Sequence, residues 1–378
     1  MMATLFWLCM AIVVYTYVGY GIVLYLLVFV KRLATKAKPL ADITDDCLPE
    51  VTLMVCAYNE EDIISEKMSN IHSLDYPADR LHLVWVTDGS TDNTNSILSA
   101  YPDVKIVFSP ERRGKSAALK HGIKEVSTEI VMMTDANTML NSGAVREIVR
   151  LMQPPKVGCV SGEKKVMAKS DSDEAAQGEG LYWKYESTLK RLDSELYSAM
   201  GAAGELCVIR RQLMTDIPDD TLLDDFVISM EIVRMGYKIA YTSKAFAMEY
   251  GSADLHEESK RKRRIAAGGL QSSWRLRSLM NPLRHPVVAF QFVSHRVLRW
   301  TITPVCLFAL IPLNTILVLS GEGIIYTIIW ILQILFYASA LAGMKISKYF
   351  VFMNLNVFRG MAYLINNTSG TWEKAKRA

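Results

Sequence analysis

The chain has 378 residues, of which 51% are hydrophobic, and its formal net charge is only +3. This charge is too small to indicate a nucleic acid or another bulk polyelectrolyte as a partner. The cysteines lie far apart and form no C-x-x-C pair, so we expect neither a disulfide framework nor a thiolate metal site. The length allows one large domain or two ordinary ones.

The chain begins with a long uncharged segment, residues 3–30, which is followed by Lys31 and Arg32. A segment of this length can span a hydrocarbon core of about 30 Å with some tilt. The alternative is a cleaved signal peptide, but its apolar core is usually only about 7–15 residues long and follows a basic start. Because the basic residues follow the run here, we predict a membrane anchor with a basic flank over residues 1–38.

Residues 39–271 alternate short β-rich apolar runs with helical patterns. We predict strands at residues 51–57, 81–87, 104–108 and 129–134, and helices at residues 60–74, 92–100, 114–127 and 141–152. This alternation indicates an α/β fold, in which helices cover both faces of a mostly parallel sheet. Ligands of such folds bind at the carboxyl ends of the strands.

Three of the predicted strands end in polar residues. The first runs into Tyr58-Asn59-Glu60, the second into Asp88, and the fourth into Asp135-Ala136-Asn137. A single polar strand end is typical of a turn. Three such ends at one edge of a parallel sheet predict carboxylates around a single crevice, which normally needs a cation or a polar ligand.

The stretch "RRGKSAALKHG" contains Gly-Lys-Ser at a predicted helix start, as a P-loop does. A P-loop also needs a glycine five positions earlier, where this chain has Ser109, so a P-loop is excluded. Arg112, Arg113 and Lys115 still predict an anion site, formed by their charges and by the first amides of the helix. The alternative is a solvated basic turn.

Several motifs in order resemble one known family. The stretches "VCAYNEE", "DGSTD", "RRGKSAALKHG", "MMTDAN", "VGCVSGEKKV", "GAAGEL", "LLDDFVISMEIVRMGYKIAY" and "ESKRKRRIAAGG" are similar to those of the inverting family 2 glycosyltransferases, which have the GT-A fold. The resemblance covers roughly residues 48–300. It is nearest to the membrane-anchored branch that makes cell-surface polysaccharides, including poly-N-acetylglucosamine, hyaluronan and cellulose synthases.

The resemblance implies a nucleotide-sugar site at the strand ends. The residues that would hold a UDP-sugar donor are Ala57, Tyr58, Glu60, Asp88, Lys115, Asp135 and Arg264. Lys115 would approach the diphosphate, and Asp135 would contact both the nucleotide and a Mg²⁺ or Mn²⁺ ion. Asn137 replaces the second aspartate of the family's D-x-D motif, so we expect weaker metal binding because an amide oxygen carries no charge.

Sugar transfer also needs a base for the acceptor hydroxyl. The resemblance implies that Asp225 is this base and that Asp224 supports it, whereas plain N-capping of the following helix is the alternative for one of the pair. Gly204 and Glu205 of "GAAGEL", together with Arg261, would shape the acceptor pocket. The family's Q-x-x-R-W motif keeps its arginine here but ends in Ile265, which removes a stacking surface that chain-elongating relatives have.

The C-terminal part again indicates a membrane. Residues 272–300 combine apolar and basic residues, which favours an interfacial helix on anionic lipid, with a solvated face as the alternative. Residues 301–345 contain two uncharged runs and predict an antiparallel pair of transmembrane helices. Residues 346–378 predict an interfacial helix and a cytoplasmic tail. The basic flanks place the 39–271 domain in the cytoplasm.

These features predict an inverting hexosyltransferase at the cytoplasmic face of the inner membrane. It would move a sugar from a UDP-sugar to a saccharide or a lipid-linked saccharide during extracellular polysaccharide synthesis. Three transmembrane helices per chain are few to enclose a channel for a polymer. Export would therefore require a homo-oligomer or an accessory subunit. The alternative is a non-catalytic nucleotide-sugar sensor or transport subunit with a degenerate site.

Overall fold

The computed structural model describes residues 1–35, 40–167, 174–250 and 255–366. Its centre is an eight-stranded sheet in the order β3-β2-β1-β4-β7-β6-β8-β5. The strands are β1 Val51–Ala57, β2 Leu81–Asp88, β3 Val104–Ser109, β4 Ile130–Asp135, β5 Met139–Leu140, β6 Val157–Met167, β7 Cys207–Arg210 and β8 Lys238–Tyr250. The first four strands are parallel to one another, whereas β7 is antiparallel to both of its neighbours.

Helices cover this sheet and extend from it. They are α1 Met2–Val14, α2 Tyr20–Ala34, α3 Ile64–His72, α4 Thr94–Leu98, α5 Lys115–Lys124, α6 Ala144–Met152, α7 Glu174–Leu196, α8 Asp224–Arg234, α9 Leu255–Arg275, α10 Pro286–Phe292, α11 Leu298–Trp300, α12 Ile302–Leu319, α13 Ile324–Leu341 and α14 Lys345–Asn366. Short π-helical segments, Tyr15–Gly19 and Val293–Val297, join α1 to α2 and α10 to α11.

The central strands are buried on both faces, as the continuous apolar runs predict. In β1, Leu53 and Val55 contact one hydrophobic core, and Met54 between them contacts the core on the opposite face. This is the two-residue alternation of a strand that has helices on either side. The predicted α/β, GT-A type architecture is therefore confirmed, and each of the first four strands matches its prediction within one residue.

The register brings the polar strand ends to one edge of the sheet. Ala57 at the end of β1 pairs with Thr87 of β2, and Cys56 pairs with Asp135 at the end of β4. Helix α8 begins beside this edge, with Asp224 and Asp225 in its first turn. The geometry thus collects residues that are far apart in the sequence.

Among the described residues, three helices are long and apolar enough to cross a membrane, namely Met2–Ala34, Ile302–Leu319 and Ile324–Leu341. These are the segments that the sequence predicts. Phe6 of α1 packs with Leu310 and Leu313 of α12. Leu24 of α2 packs against Leu189 of α7, so the anchor helix also contacts the sheet domain.

Helix α14 begins at Lys345, just before the segment 346–378 for which the sequence predicts an interfacial helix. Unlike the three helices above, it is not a candidate membrane span by length and apolar composition. It packs closely on α9, where a Cβ at Gly360 would lie 2.7 Å from the Cβ of Ala266. Its interfacial position stays a prediction. The predicted cytoplasmic tail, residues 367–378, lies outside the described residues.

The structure differs from the single basic helix expected over residues 272–300. This segment contains the end of α9, a 3₁₀ turn, α10, a π-helical segment and α11. Arg296 and Arg299 lie 2.6 Å and 3.2 Å from carboxylate oxygens of Glu186. Their charge is therefore directed into the protein, because a buried carboxylate needs cationic partners. Lipid contact by the other basic residues of the segment stays a prediction.

Candidate functional site

A cavity opens at the carboxyl ends of β1 and β4. The residues that line it are Cys56, Lys115, Leu119, Met133, Thr134, Gly204, Cys207, Asp224, Asp225 and Ile228. It therefore joins strand ends, the start of α5, the loop before β7 and the start of α8. Apolar side chains form its floor and charged groups its rim, as is usual for ligand pockets.

Lys115, which lines the cavity, forms an ion pair with Asp135 at the end of β4. The Nζ of Lys115 lies 2.5 Å from Oδ1 of Asp135, and both side chains are largely covered. Burial on its own lowers the pKa of Lys115, but the charges of Asp135 and Asp224 together with the hydrogen bond raise it well above its usual range. Lys115 is therefore a permanent positive charge in the cavity.

Asp88 positions the start of α5. Its two carboxylate oxygens accept hydrogen bonds from the backbone N–H groups of Arg113, at 2.9 Å, and Gly114, at 2.7 Å. Gly114 has φ +93°, a backbone conformation that favours glycine. This turn directs Lys115 towards Asp135. A ligand that binds Asp88 would therefore share carboxylate oxygens that already accept hydrogen bonds from backbone N–H groups.

The expected anion site at this turn is partly wrong. The guanidinium of Arg112 lies 3.8 Å from the centre of the Tyr58 ring, and Arg113 pairs with Glu111 on the exposed surface. The amides of residues 113 and 114 are bonded to Asp88. Of the three predicted cations only Lys115 lines the cavity, because the turn spreads consecutive side chains in different directions.

Asp224 and Asp225 occupy the first turn of α8, where the positive end of the helix dipole favours carboxylates. Burial and the neighbouring charge of Asp224 raise the pKa of Asp225 to about 7, and the charge of Lys115 opposes this shift. A carboxylate with a pKa near neutrality accepts protons more readily than an ordinary aspartate. Asp225 is therefore suited to general-base chemistry.

The "GAAGEL" loop brings the backbone close to Asp225. Gly201 has φ +93°, and a Cβ there would collide with the Phe226 ring. The loop is fixed by backbone N–H groups of residues 202 and 203, which donate to Ser229 Oγ and Ser161 Oγ. A Cβ at Gly204 would lie 3.2 Å from Asp225 Oδ2, so this glycine forms one wall of the cavity.

Glu205, the next residue, belongs to a buried chain of charges. Lys164 Nζ lies 2.6 Å from Glu205 Oε1 and also contacts Glu249. Burial raises the pKa of Glu205, but the charge of Lys164, its hydrogen bond and the charge of Arg261 lower it below its usual range. Arg261 Nη1 lies 3.3 Å from Glu249. Glu205 and Arg261 thus belong to one chain of charges through Lys164 and Glu249, and their role in an acceptor pocket stays a prediction.

One face of α9 packs against the segment that precedes α8. Arg261 contacts Glu249 on this face, and a Cβ at Gly268 would meet the side chains of Leu222 and Leu223, which immediately precede Asp224. Arg264 lies between these positions at spacings of three and four residues, so it shares their face. Its guanidinium is half-buried.

Ala57, Tyr58 and Glu60 lie at the end of β1, as predicted. Ala57 and Glu60 are buried, and the backbone N–H of Glu60 donates to Thr94 Oγ1 at 2.9 Å. Tyr58 is half-buried beneath Arg112. This part of the edge offers an aromatic face and an arginine, which suits a flat nucleobase.

Within the described residues, no group of three or more histidines, cysteines or carboxylates could hold a metal ion. Asp88 accepts hydrogen bonds from backbone amides at the start of α5, and the predicted crevice of carboxylates at the strand ends stays a prediction. Asp135 and the half-buried Asn137 remain as oxygen ligands at the end of β4. Two ligands fit Mg²⁺ or Mn²⁺ when substrate phosphates and water complete the coordination.

Residues 49–268 match the profile of a family described as "Glycosyltransferase like family 2". This match covers more than half of the chain. The chain belongs to this glycosyltransferase family. The resemblance found in its motifs is confirmed, and the domain that contains the cavity is a glycosyltransferase domain.

The glycosyltransferase has curated relatives in staphylococci. It is 27% identical over 280 residues to the poly-beta-1,6-N-acetyl-D-glucosamine synthase of Staphylococcus aureus strain MSSA476, which covers 71% of this chain and 66% of that protein. The synthase of the same name from Staphylococcus epidermidis is 27% identical over 229 residues, covering 58% of this chain and 54% of that protein. The chain thus spans just under two thirds of the length of the relatives that it matches.

A solved structure shares the fold over nearly the whole chain. The mannosyltransferase PcManGT from Pyrobaculum calidifontis, in complex with GDP-Man and Mn²⁺, superimposes with a TM-score of 0.73 and 23% identity. The match covers 96% of this chain and 99% of that one. This likeness supports the GT-A fold.

Sequence reasoning missed several charged residues of the glycosyltransferase domain. Lys164 and Glu186 are almost completely buried, and Lys164 lies in the motif "VGCVSGEKKV", where it received no role. A detectable signal exists for Lys164, because the two-residue alternation of a strand puts it on the same face as Val160 and Gly162, and a lysine on a buried face is costly unless it is paired. Glu186 lies on a long helix whose buried face the sequence does not define.

Proposed function

We propose that this protein is an inverting, metal-assisted glycosyltransferase that moves a sugar from a UDP-sugar to a saccharide or lipid-linked saccharide. The observation that supports this most strongly is that Lys115 and Asp225 line one cavity, and that Lys115 also forms an ion pair with Asp135. These residues come from three separate elements, and together they supply a phosphate-side cation, a metal ligand and a base. A domain that only binds a nucleotide has no chemical need for the base.

In the proposed reaction, an acceptor hydroxyl attacks the anomeric carbon of the donor while Asp225 takes the hydroxyl proton. The new glycosidic bond forms as the bond between the anomeric carbon and the diphosphate oxygen breaks. A single displacement of this kind inverts the configuration at that carbon. The raised pKa of Asp225, about 7, makes its carboxylate a stronger base than a solvated aspartate.

The departing UDP carries the negative charge that develops in this step. Lys115, which lines the cavity, would stabilise that charge, and Arg264, on the face of α9 that packs against Leu222 and Leu223, would assist it. Asp135 and Asn137 would hold a divalent ion, which neutralises phosphate charge when it is bound. Tyr58, Glu60 and Asp88 would contact the nucleoside at the ends of β1 and β2.

The nature of the staphylococcal relatives favours N-acetylglucosamine as the transferred sugar and a growing polysaccharide as the acceptor. The three apolar helices and the basic residues that flank them support a catalytic domain on the cytoplasmic side of the membrane. The protein would then add sugars before export. A homo-oligomer or an accessory subunit would complete an export path.

The test is donor turnover by purified protein in detergent. Wild type is incubated with UDP-N-acetylglucosamine, UDP-glucose, UDP-glucuronate or GDP-mannose, each with Mn²⁺ or Mg²⁺, and nucleotide release and product mass are measured. We expect turnover with a UDP-sugar and a product longer by that sugar. Asp225→Asn should lower transfer by at least about 10²-fold, the contribution of a positioned base.

Asp216→Asn is the matched control, because Asp216 is exposed and lies outside the cavity. Its turnover should equal that of wild type. Wild-type turnover with GDP-mannose alone would reject the UDP-sugar assignment. Equal transfer rates in Asp225→Asn and wild type would reject the base. Absence of turnover with every donor would favour the sensor function.

A further inference from the structure

Arg296 is a charged residue that the proposed chemistry does not use, although it contacts the backbone beside the proposed base. It lies on the π-helical segment Val293–Val297, and its Nε donates a hydrogen bond to the backbone oxygen of Met200 at 2.8 Å. Met200 directly precedes the loop of residues 201–205, whose Gly204 lines the cavity. Because the N–H groups of a guanidinium have a fixed planar arrangement, this hydrogen bond fixes the direction of the carbonyl.

The same guanidinium lies beside the start of α8. Its carbon is 5.9 Å from the centre of the Phe226 ring, a distance at which a cation and an aromatic face still attract each other. Phe226 directly follows Asp225. Its ring also lies against the backbone of Gly201, where a Cβ would collide with it. Arg296 is therefore next to both the 201–205 loop and the residue that follows the base.

The 201–205 loop contains a flexible residue at its start. Gly201 has φ +93°, and a glycine restricts the backbone less than any other residue does. Beyond Gly201, two loop amides donate to Ser229 Oγ at 3.0 Å and to Ser161 Oγ at 3.2 Å. Before Gly201, the hydrogen bond from Arg296 holds the carbonyl of Met200. Rotation of the backbone at Gly201 is thus resisted by groups that are held on either side of it.

Glu186 of α7 holds Arg296 in place. Its Oε1 lies 2.6 Å from Nη2 of Arg296, and its Oε2 lies 3.3 Å from Nε2 of His295 and 3.2 Å from Nη1 of Arg299. Burial on its own raises the pKa of Glu186, but the charges of Arg296 and His295 lower it well below its usual range. The carboxylate is therefore ionised, and it binds Arg296 through a different nitrogen from the one that donates to Met200.

The contacts continue from Glu186 to the N-terminal anchor helix. Nδ1 of His295 lies 2.5 Å from Oδ2 of Asp193, which is two helical turns after Glu186 on the same face of α7. Tyr20 of α2 donates a hydrogen bond to the other oxygen of Asp193. Tyr20, Asp193 and His295 are completely buried. A continuous set of contacts therefore joins α2 to the 201–205 loop, and we call it the anchor network: Tyr20, Asp193, His295, Glu186 and Arg296.

Stability alone does not explain the anchor network. Replacement of buried ion pairs by well-packed apolar residues is often neutral or stabilising in proteins. Charged groups that are also hydrogen-bonded give each partner a fixed direction, which apolar packing does less well. Such a network suits a segment whose position must be held accurately, and the loop beside a catalytic base is one.

We propose that Arg296 is a positioning residue for sugar transfer and that the anchor network ties its position to the membrane helix α2. Arg296 holds the 201–205 loop through Met200, and the loop and Phe226 together hold Asp225 at its working distance from the acceptor. The anchor helix is then part of the apparatus that aligns the base, in addition to holding the domain at the membrane. This proposal rests on the proposed function and deepens it.

The test uses full-length Arg296→Lys in detergent. Lysine keeps a positive charge beside Glu186 but lacks the planar group that serves Glu186 and Met200 together. Transfer is measured with the donor and acceptor that give product with wild type, and rates are expressed per UDP-binding site counted by calorimetry. We expect kcat per site to fall at least about tenfold, because the base is misplaced, while UDP affinity and donor KM stay within about twofold. A purely structural role would lower the number of sites and leave the rate per site unchanged.

Arg299→Lys is the matched control, because Arg299 binds the same carboxylate and its other terminal nitrogen donates to Tyr185 of α7. Its kcat per site should stay within about twofold of wild type. An unchanged kcat per site in Arg296→Lys, or an equal fall in both variants, would overturn the positioning role.

Deuterium exchange of the 201–205 loop gives a readout that does not depend on activity. Loss of one hydrogen bond at Met200 should make the loop amides exchange about fivefold faster in Arg296→Lys than in wild type. Unaltered exchange would overturn the proposal. If wild type turns over no donor, the proposed function fails, and the exchange rates still decide whether Arg296 holds the loop.

Tyr20→Phe tests the end of the network at the membrane anchor. It removes the hydroxyl that donates to Asp193 and keeps the aromatic ring, so we expect faster exchange of the loop and a fall in kcat per site of about three- to tenfold. Tyr25→Phe is the control, because Tyr25 lies on the same helix with an exposed side chain. Wild-type exchange and kcat in Tyr20→Phe would overturn the link to the anchor.

Discussion

Lys115 Nζ lies 2.5 Å from Asp135 Oδ1, although the two residues belong to different elements, the start of α5 and the end of β4. This ion pair joins the cation proposed for the donor diphosphate to the carboxylate proposed for the metal. Burial lowers the pKa of Lys115, but the charge of Asp135 raises it well above its usual range. The cost of burying either one alone is reduced, because each screens the other.

Lys115→Gln removes the positive charge that interacts with Asp135, Asp224 and Asp225. We expect kcat/KM to fall by about 10²-fold or more, since charge on the departing diphosphate loses its partner. The activity profile should also move to higher pH, because the charge of Lys115 lowers the pKa of Asp225. Initial rates between pH 5.5 and 9 measure both effects. The exposed Lys105→Gln is the control, and an unshifted profile would contradict the coupling.

Gly204→Ala tests the close approach of the loop to the base. Its Cβ would lie 3.2 Å from Asp225 Oδ2 and 3.4 Å from Lys115 Nζ, so Asp225 must move by a few tenths of an ångström. We expect kcat to fall about tenfold with little change in thermal stability, because catalysis depends on position more than folding does. Gly143→Ala, where a Cβ meets nothing within 4 Å, should retain wild-type rates. Full activity of Gly204→Ala would show that the cavity wall can relax.

Asp225→Asn should stabilise the folded protein above neutral pH. The folded-state pKa of Asp225 is about 7, against 3.8 for an ordinary aspartate, so between these values the folded state binds more protons than the unfolded one. The free energy of unfolding therefore falls as pH rises from about 4 to about 7, and the variant escapes this loss. We expect its Tm to exceed that of wild type by about 4 °C at pH 8 and to match it near pH 4.

Thermal unfolding in detergent at both pH values measures this difference. Asp216→Asn, at an exposed position, should shift Tm by less than about 1 °C. A variant that is less stable than wild type at pH 8 would show that ionised Asp225 is stabilised by its surroundings. The pKa assignment would then be wrong.

Asn137→Asp restores a second carboxylate at the end of β4. A charged oxygen binds a divalent ion more tightly than an amide does, so half-maximal activity should need about three- to tenfold less Mn²⁺. A Mn²⁺ titration of UDP release at fixed donor concentration measures this. Ser142→Asp adds the same charge at an exposed position nearby and should leave the metal requirement unchanged. An unaltered requirement in Asn137→Asp would remove residue 137 from the proposed metal site.

The sequence alone determined the strands, the membrane-spanning candidates and the order of the site motifs. Val51–Ala57 and its parallel neighbours could be recognised because burial on both faces of a strand requires a continuous apolar run. The membrane-spanning candidates could be recognised because few other structures contain an uncharged stretch as long as a bilayer is thick. The polar strand end indicated Asp135, and the family resemblance indicated Gly204 and Asp225.

Only the tertiary structure decided which partners the charged side chains have. Asp88 binds backbone amides, Arg113 faces solvent, and Lys164 pairs with Glu205 across two strands. These outcomes depend on distances between residues far apart in the chain, which no local pattern encodes.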